Sequence, residues 1–118
     1  MTTKLYYLAH PYTHPDPETN VRACVDIAND LIDDGYSIYA PIVMTHWFDV
    51  LVPRDHAFWL EYDETMMARC DAIILAGDWR ASKGCRHEYQ WFADHGKQML
   101  VRSTDGELHD ITGKKQQV

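Results

Sequence analysis

Little in this chain commits it to disulfide, metal or membrane chemistry. Its 118 residues include three cysteines. Cys24, Cys70 and Cys85 are odd in number and show no CxxC spacing, so reduced thiols in a cytoplasmic protein are expected. No apolar stretch approaches the roughly 20 residues needed to span a bilayer. The opening Met-Thr-Thr-Lys runs straight into a strand pattern, and no signal peptide is expected. Basic residues are the minority: 11 Lys and Arg against 18 Asp and Glu give a formal charge of -7. Duplex nucleic acid is therefore not an expected partner, because a duplex binder carries a basic stripe. A small anion held by a few local donors remains compatible. There are seven histidines, yet His10, His14, His46, His56 and His87 fall in no HxH, HExxH or Cys/His finger spacing. Neither a metal nor a cofactor is expected. Internal repeats and linker-like tracts are missing too. The chain reads as one domain over residues 1–118, with a polar tail from about residue 103.

What is present is alternation of strand and helix patterns. Lys4 to Ala9 is a short buried strand, broken by His10-Pro11-Tyr12. Asp16 is placed to cap a helix with Pro17 at its first position. Val21, Cys24, Val25, Ala28, Leu31 and Ile32 then recur at helical spacing, and Gly35 stops the run. Tyr36 to Ala40 is a second strand. Residues 42 to 56 are apolar without clean period and read as a loop with about one helical turn. Ala57 to Arg69 is a helix, Ala72 to Ala76 a third strand, Ser82 to Gly96 a capped helix and Gln98 to Arg102 a fourth strand. A short strand is expected near Leu108 to Ile111. Such alternation predicts right-handed βαβ units. The fold class is α/β: a small three-layer α/β/α sandwich with a parallel sheet of 4–5 strands, of flavodoxin or Rossmann type. Strand one would lie between strands two and three. The turns after strands one and three then meet at the topological switch point, where open α/β folds bind ligands.

Glu88 is the leading candidate for chemistry. It follows the third-strand turn, on the second turn of a helix, flanked in sequence by Trp79, Tyr89 and Trp91. A carboxylate there can act as a nucleophile or an acid/base group. Plainer roles stand beside this one. Glu88 also suits an amphipathic surface helix, Ser82 an N-cap, Tyr7 a core strand and Asp71 a pin for a loop. His10 and His46, at strand ends, are candidate donors to a pocket. Trp47, Phe48, Trp59, Met66 and Met67 fit a core or a subunit surface better than a base-stacking platform.

Together these residues resemble the nucleoside 2-deoxyribosyltransferase superfamily. Tyr7-Leu8-Ala9-His10-Pro11-Tyr12 resembles its first-strand turn, with His10 where that family has glycine. Asp71, Asp78, Ser82-x-Gly84-x-x-x-Glu88 and Gly96-Lys97 resemble its nucleophile segment. The nearest subgroup is the small DUF1937 type, similar at Pro41-Ile42, His46, Trp59, Asp63 and Trp79 to Glu88. The likeness runs over about residues 5 to 101.

The resemblance implies cleavage or transfer at the N-glycosidic bond of a (deoxy)nucleoside or its 5′-monophosphate, through a covalent glycosyl-Glu intermediate. Glu88 would be the nucleophile, Tyr7 would orient it, and Asp63 would protonate or hold the base. The substrate would be lined by His10, Pro11, Tyr12, His46, Asp78, Trp79, Ser82 and Gly84. Ser82 stands where the transferases usually have an Asp, and where the related monophosphate hydrolases typically have Ser. With amides at a helix N-terminus, it suits an anion; Arg80, Lys83 and Arg86 would add charge. A homodimer or higher homo-oligomer is also implied. Two other readings stay open: a catalytically silent nucleotide or nucleotide-sugar binding module, and a His-based metal-dependent hydrolase.

Overall fold

The structure is a computed structural model and describes residues 4–114. Five strands form one sheet: β1 Leu5–Ala9, β2 Ser37–Tyr39, β3 Ala72–Leu75, β4 Gln98–Arg102 and β5 Leu108–Asp110. Their order across the sheet is β2-β1-β3-β4-β5. The first three pairings are parallel and β4–β5 is antiparallel. The expected placement of strand one between two and three is thus observed, in the flavodoxin-like order. The sheet is parallel through four strands, and the fifth returns as a hairpin edge. The strand expected near Leu108 forms, and residues 115–118 of the polar tail lie outside the described residues.

Side-chain alternation sends each strand's residues to opposite faces. Tyr7, Ala9, Ile73, Leu75 and Met99 pack on one side, against Met67 and Cys70 and against Cys85, Tyr89 and Phe92 of α4 (Lys83–Asp94). Tyr6, Leu8, Ala72, Ile74 and Leu100 pack on the other, against Cys24 and Leu31 of α1 (Pro17–Asp33). Helices on both faces therefore sandwich a sheet whose central strands, β1 and β3, are almost wholly buried.

The local signals act as expected. Asp16 accepts the Thr19 N–H at 3.0 Å and caps α1. Asp71 accepts the Leu5 N–H at 2.8 Å and pins β3 to the start of β1, the plainer of its two readings. Residues 41–51 differ from expectation. They form a full helix, α2 (Pro41–Leu51), with Pro41 in its first turn. Its inner residues Ile42 and Val43 pack on the α1 side of the sheet. Its outer residues Met44, Trp47, Phe48 and Leu51 are exposed. A helix apolar on both sides has no readable period, which is why the pattern looked like a loop. Asp49 then ties α2 to α3 (His56–Met67), accepting from Trp59 Nε1 at 2.7 Å and from the Arg54 N–H at 3.1 Å.

Candidate functional site

The exits of β1 and β3 are brought together. The Ala76 N–H donates to the Ala9 carbonyl at 3.0 Å. Gly77 has φ +64°, and a Cβ there would stand 2.9 Å from His10 Nε2 and 3.2 Å from Pro11 Cδ. The two turns are thus in van der Waals contact, and only glycine fits at position 77 without displacement. In front of them opens a cleft of about 750 Å³, a size usual for a small-molecule site. Its wall includes His10, Pro11, Tyr12, Asp63, Asp78, Ser82, Gly84 and Glu88 from the sequence expectation.

Glu88 points from the second turn of α4 toward β1, where the Tyr7 hydroxyl donates to its Oε2. Tyr7 is fully buried, so it is at once a core residue and the support of Glu88. Tilted rings of Tyr39 and Phe92 hold it in place, with centroids 5.9 and 5.7 Å away. Burial pushes Glu88 up to about 8; the Tyr7 hydrogen bond opposes this and the nearby Asp63 charge adds to it. Burial likewise lifts Asp63 up to about 7. Tyr7 is held well above its usual range by burial and by both carboxylates. The two carboxyls interact, so they titrate as a pair that retains one proton near neutrality. The Tyr7 hydrogen bond lowers Glu88 without undoing its burial, and Glu88 stays the higher of the two, so Tyr7 makes the charged form of Glu88 reachable rather than dominant. One carboxylate and one carboxylic acid in a shared cleft can serve as nucleophile and acid.

Other side chains shape the walls. Ser82 caps α4, its Oγ accepting the Cys85 N–H at 3.2 Å. Among the described residues, and apart from its own helix backbone and chain neighbours, a Cβ at Gly84 would meet only Ser82 Oγ, at 3.9 Å, so the backbone there lies open to the cleft. Lys83 also lines it. Arg86 instead donates to the Arg80 carbonyl at 3.0 Å, and the Arg80 guanidinium lies over the Trp79 ring at 4.4 Å.

His10 is buried, with Nδ1 2.8 Å from the Pro11 carbonyl. A carbonyl only accepts, so Nδ1 carries the hydrogen and Nε2 is left as an acceptor, where donors had been expected. Burial also lowers the His10 pKa.

His46 and Trp79 do not line the cleft. His46 sits on α2 rather than at a strand end, and its Nδ1 meets the Tyr12 hydroxyl at 2.8 Å, behind the wall. Trp79 lies in a 3-10 turn that swings it into the core, 3% exposed and stacked on Tyr89.

The cleft wall also carries Asp49, Arg54, His56, Trp59 and His87. Asp49, Arg54 and His56 fall in the segment 42–56 that lacked a readable period, and Trp59 lies on the helix that follows it. His87 is adjacent to Glu88, and that position was its only signal. Among the described residues, no group of three or more His, Cys, Asp or Glu is arranged to hold a metal ion. None of the described helices is long and apolar enough to cross a membrane.

No curated protein matches the chain. The family model described as a domain of unknown function, DUF1937, matches residues 4–104. With nearly the whole sheet and the entire cleft wall inside that match, the chain belongs to the DUF1937 family.

Proposed function

We propose that the cleft binds a nucleoside or its 5′-monophosphate and that Glu88 opens the N-glycosidic bond. The observation that carries this reading is the Tyr7–Glu88 hydrogen bond in the cleft, with the Asp63 carboxyl coupled to it. A Glu88 carboxylate oxygen attacks C1′. The C1′–N bond breaks, its electron pair leaves with the base, and Asp63 delivers the proton that the base requires. Tyr7 holds the attacking carboxylate in line. Water or a second base then attacks C1′ of the glycosyl-Glu88 ester and frees the carboxylate. Ser82, Lys83 and the amides at the start of α4 favour a 5′-phosphate at that end. The likeness to the nucleoside 2-deoxyribosyltransferases supports the same roles.

The test is mass-spectrometric detection of free base after incubation with pooled nucleosides and 5′-monophosphates. Base release that disappears in Glu88→Ala supports the reading; equal release by a folded Glu88→Ala protein removes it. A second reading, a catalytically silent nucleotide or nucleotide-sugar binding module, is favoured by one observation. Burial holds Glu88 protonated into the neutral range, and a protonated carboxyl is a poor nucleophile. Nucleotide-dependent thermal stabilisation without base release would select it.

A homodimer belongs to the same proposal. Met44, Trp47, Phe48, Leu51, Val52 and Phe58 form an exposed apolar face on α2 and α3, next to the cleft at Arg54 and Trp59. A monomer mass by light scattering at micromolar concentration would remove that part.

A further inference from the structure

Residues 10–16 join β1 to α1, and Thr13, His14 and Pro15 among them are exposed. Exposed loops are ordinarily the mobile parts of a fold. This one is held from inside. Three buried polar residues, His10, Asn20 and His46, converge on it. His10 bonds to the Pro11 carbonyl at the start of the loop, and Asp16 caps α1 at its end. Asn20 grips the middle from the first turn of α1. Its Nδ2 donates to the Tyr12 carbonyl at 2.9 Å and to the His14 carbonyl at 2.8 Å. Carbonyls only accept, so the amide nitrogen must face them, and each of its two hydrogens has one partner. Asparagine inside a helix is locally unfavourable, and a buried amide is costly unless bonded, so this placement has a specific reason. His46, on α2, takes the other end of Tyr12. Its Nδ1 lies 2.8 Å from the Tyr12 hydroxyl, and the two rings meet edge-on with centroids 5.8 Å apart. Tyr12 is thus fixed by its backbone and by its side-chain tip, from two different helices.

Tyr12, Thr13 and His14 line the cleft, whereas Asn20 and His46 do not. We propose that Asn20 and His46 are positioning residues, which hold this loop as a rigid ligand wall that is in place before a substrate arrives. A wall ordered in advance spares the substrate the entropy of ordering it, and affinity rises accordingly. The loop is then a fixed template and does not work as a lid. Its benefit to a nucleoside or nucleotide rests on the reading above; its rigidity does not.

The experiment joins backbone amide order parameters from magnetic relaxation to calorimetric titration with the 5′-monophosphates of the common ribo- and deoxyribonucleosides. The full chain is used, at a temperature where every variant is folded. In the wild type the Thr13 and His14 amides should have order parameters of about 0.85, matching α1. Asn20→Ala should bring them below about 0.6 and weaken the best-binding nucleotide at least about tenfold. His46→Leu should weaken it too, and His46→Asn, which keeps a polar atom at the δ position, should recover part of the loss. In a Tyr12→Phe background, His46→Leu should cost no further affinity, because the hydroxyl it serves is gone. A loop already mobile in the wild type would overturn the proposal. So would a full His46→Leu loss in the Tyr12→Phe background. Lower stability in Asn20→Ala with unchanged order parameters and affinity marks a merely structural role and would overturn it as well. If no nucleotide binds the wild type, the nucleoside reading falls, and the order parameters alone decide whether the loop is held.

Discussion

Replacing Glu88 with Gln should stabilise the protein at alkaline pH and change it little in acid. Gln keeps the shape and an acceptor oxygen for Tyr7, but it cannot ionise. The Glu88 carboxyl is lifted from its ordinary 4.5 to about 8, chiefly by burial. A raised value means that the folded state prefers the protonated form. That stabilisation is complete below the unfolded-chain pKa and is lost as pH rises through the folded one. At about 1.4 kcal/mol per pH unit, the wild type should lose about 4 kcal/mol relative to Glu88→Gln between pH 5 and pH 9. Domains of this kind have roughly 5–15 kcal/mol in all, so the effect is large. Urea unfolding followed by tryptophan fluorescence at pH 5, 7 and 9 would measure it. Asp63 titrates in both proteins, so the difference reports chiefly on Glu88. Stability curves that run parallel across this range would refute the reasoning, because Glu88 would then be no more costly to ionise in the fold than in the unfolded chain.

Three further outcomes follow from the same geometry. The pH dependence of kcat/KM should be a bell with its maximum between about 7 and about 8, where the Glu88–Asp63 pair holds one proton. Asp63→Asn should lower the rate and abolish the alkaline limb, and a bell that persists in this variant would exclude Asp63 as the acid. Lys97 Nζ donates to the Met67, Ala68 and Cys70 carbonyls at 3.2, 3.1 and 2.7 Å, closing the end of α3. Lys97→Met should cost about 1–3 kcal/mol, seen as a lower urea midpoint with an unchanged slope. Gly77→Ala should destabilise by about 1–3 kcal/mol through its positive φ and its contact with His10. Adding His10→Ala should recover only the steric part, which a double-mutant cycle would resolve.

The regular parts of this chain are legible because each signal acts locally. Asp16-Pro17 and Ser82 mark helix starts, Gly35 and Gly96 follow helix ends, and the unbroken apolar runs of β1 and β3 mark strands buried on both faces. Once β1 and β3 are neighbours, Glu88, Tyr7 and the two turns must converge, so the centre of the cleft was readable. The wall from α2 to the start of α3 was not. Its outer face is apolar and exposed, which erases the period that separates core from surface. Asp49 and Arg54 depend on that segment and were hidden with it, whereas Trp59 and Asp63 were picked out on the helix that follows. Trp79 misled in the opposite sense. It is close to the site along the chain, but a short 3-10 turn rotates it inward. Burial sets the carboxyl values and the unpaired state of His87 Nε2, and no residue-type pattern encodes burial at the level of one atom.

All three thiols are buried, and burial raises each above its usual pKa, Cys24 to about 12 and Cys70 to about 11. Alkylation at neutral pH must therefore wait for the chain to open. The three positions sample different parts: Cys24 beneath α1, Cys70 between α3 and β3, and Cys85 on α4 at the cleft wall. Single-cysteine versions of this protein would act as three internal clocks, each timing the release of its own layer. A molecule seated in the cleft would slow the Cys85 clock most, which makes site occupancy measurable without any knowledge of the reaction.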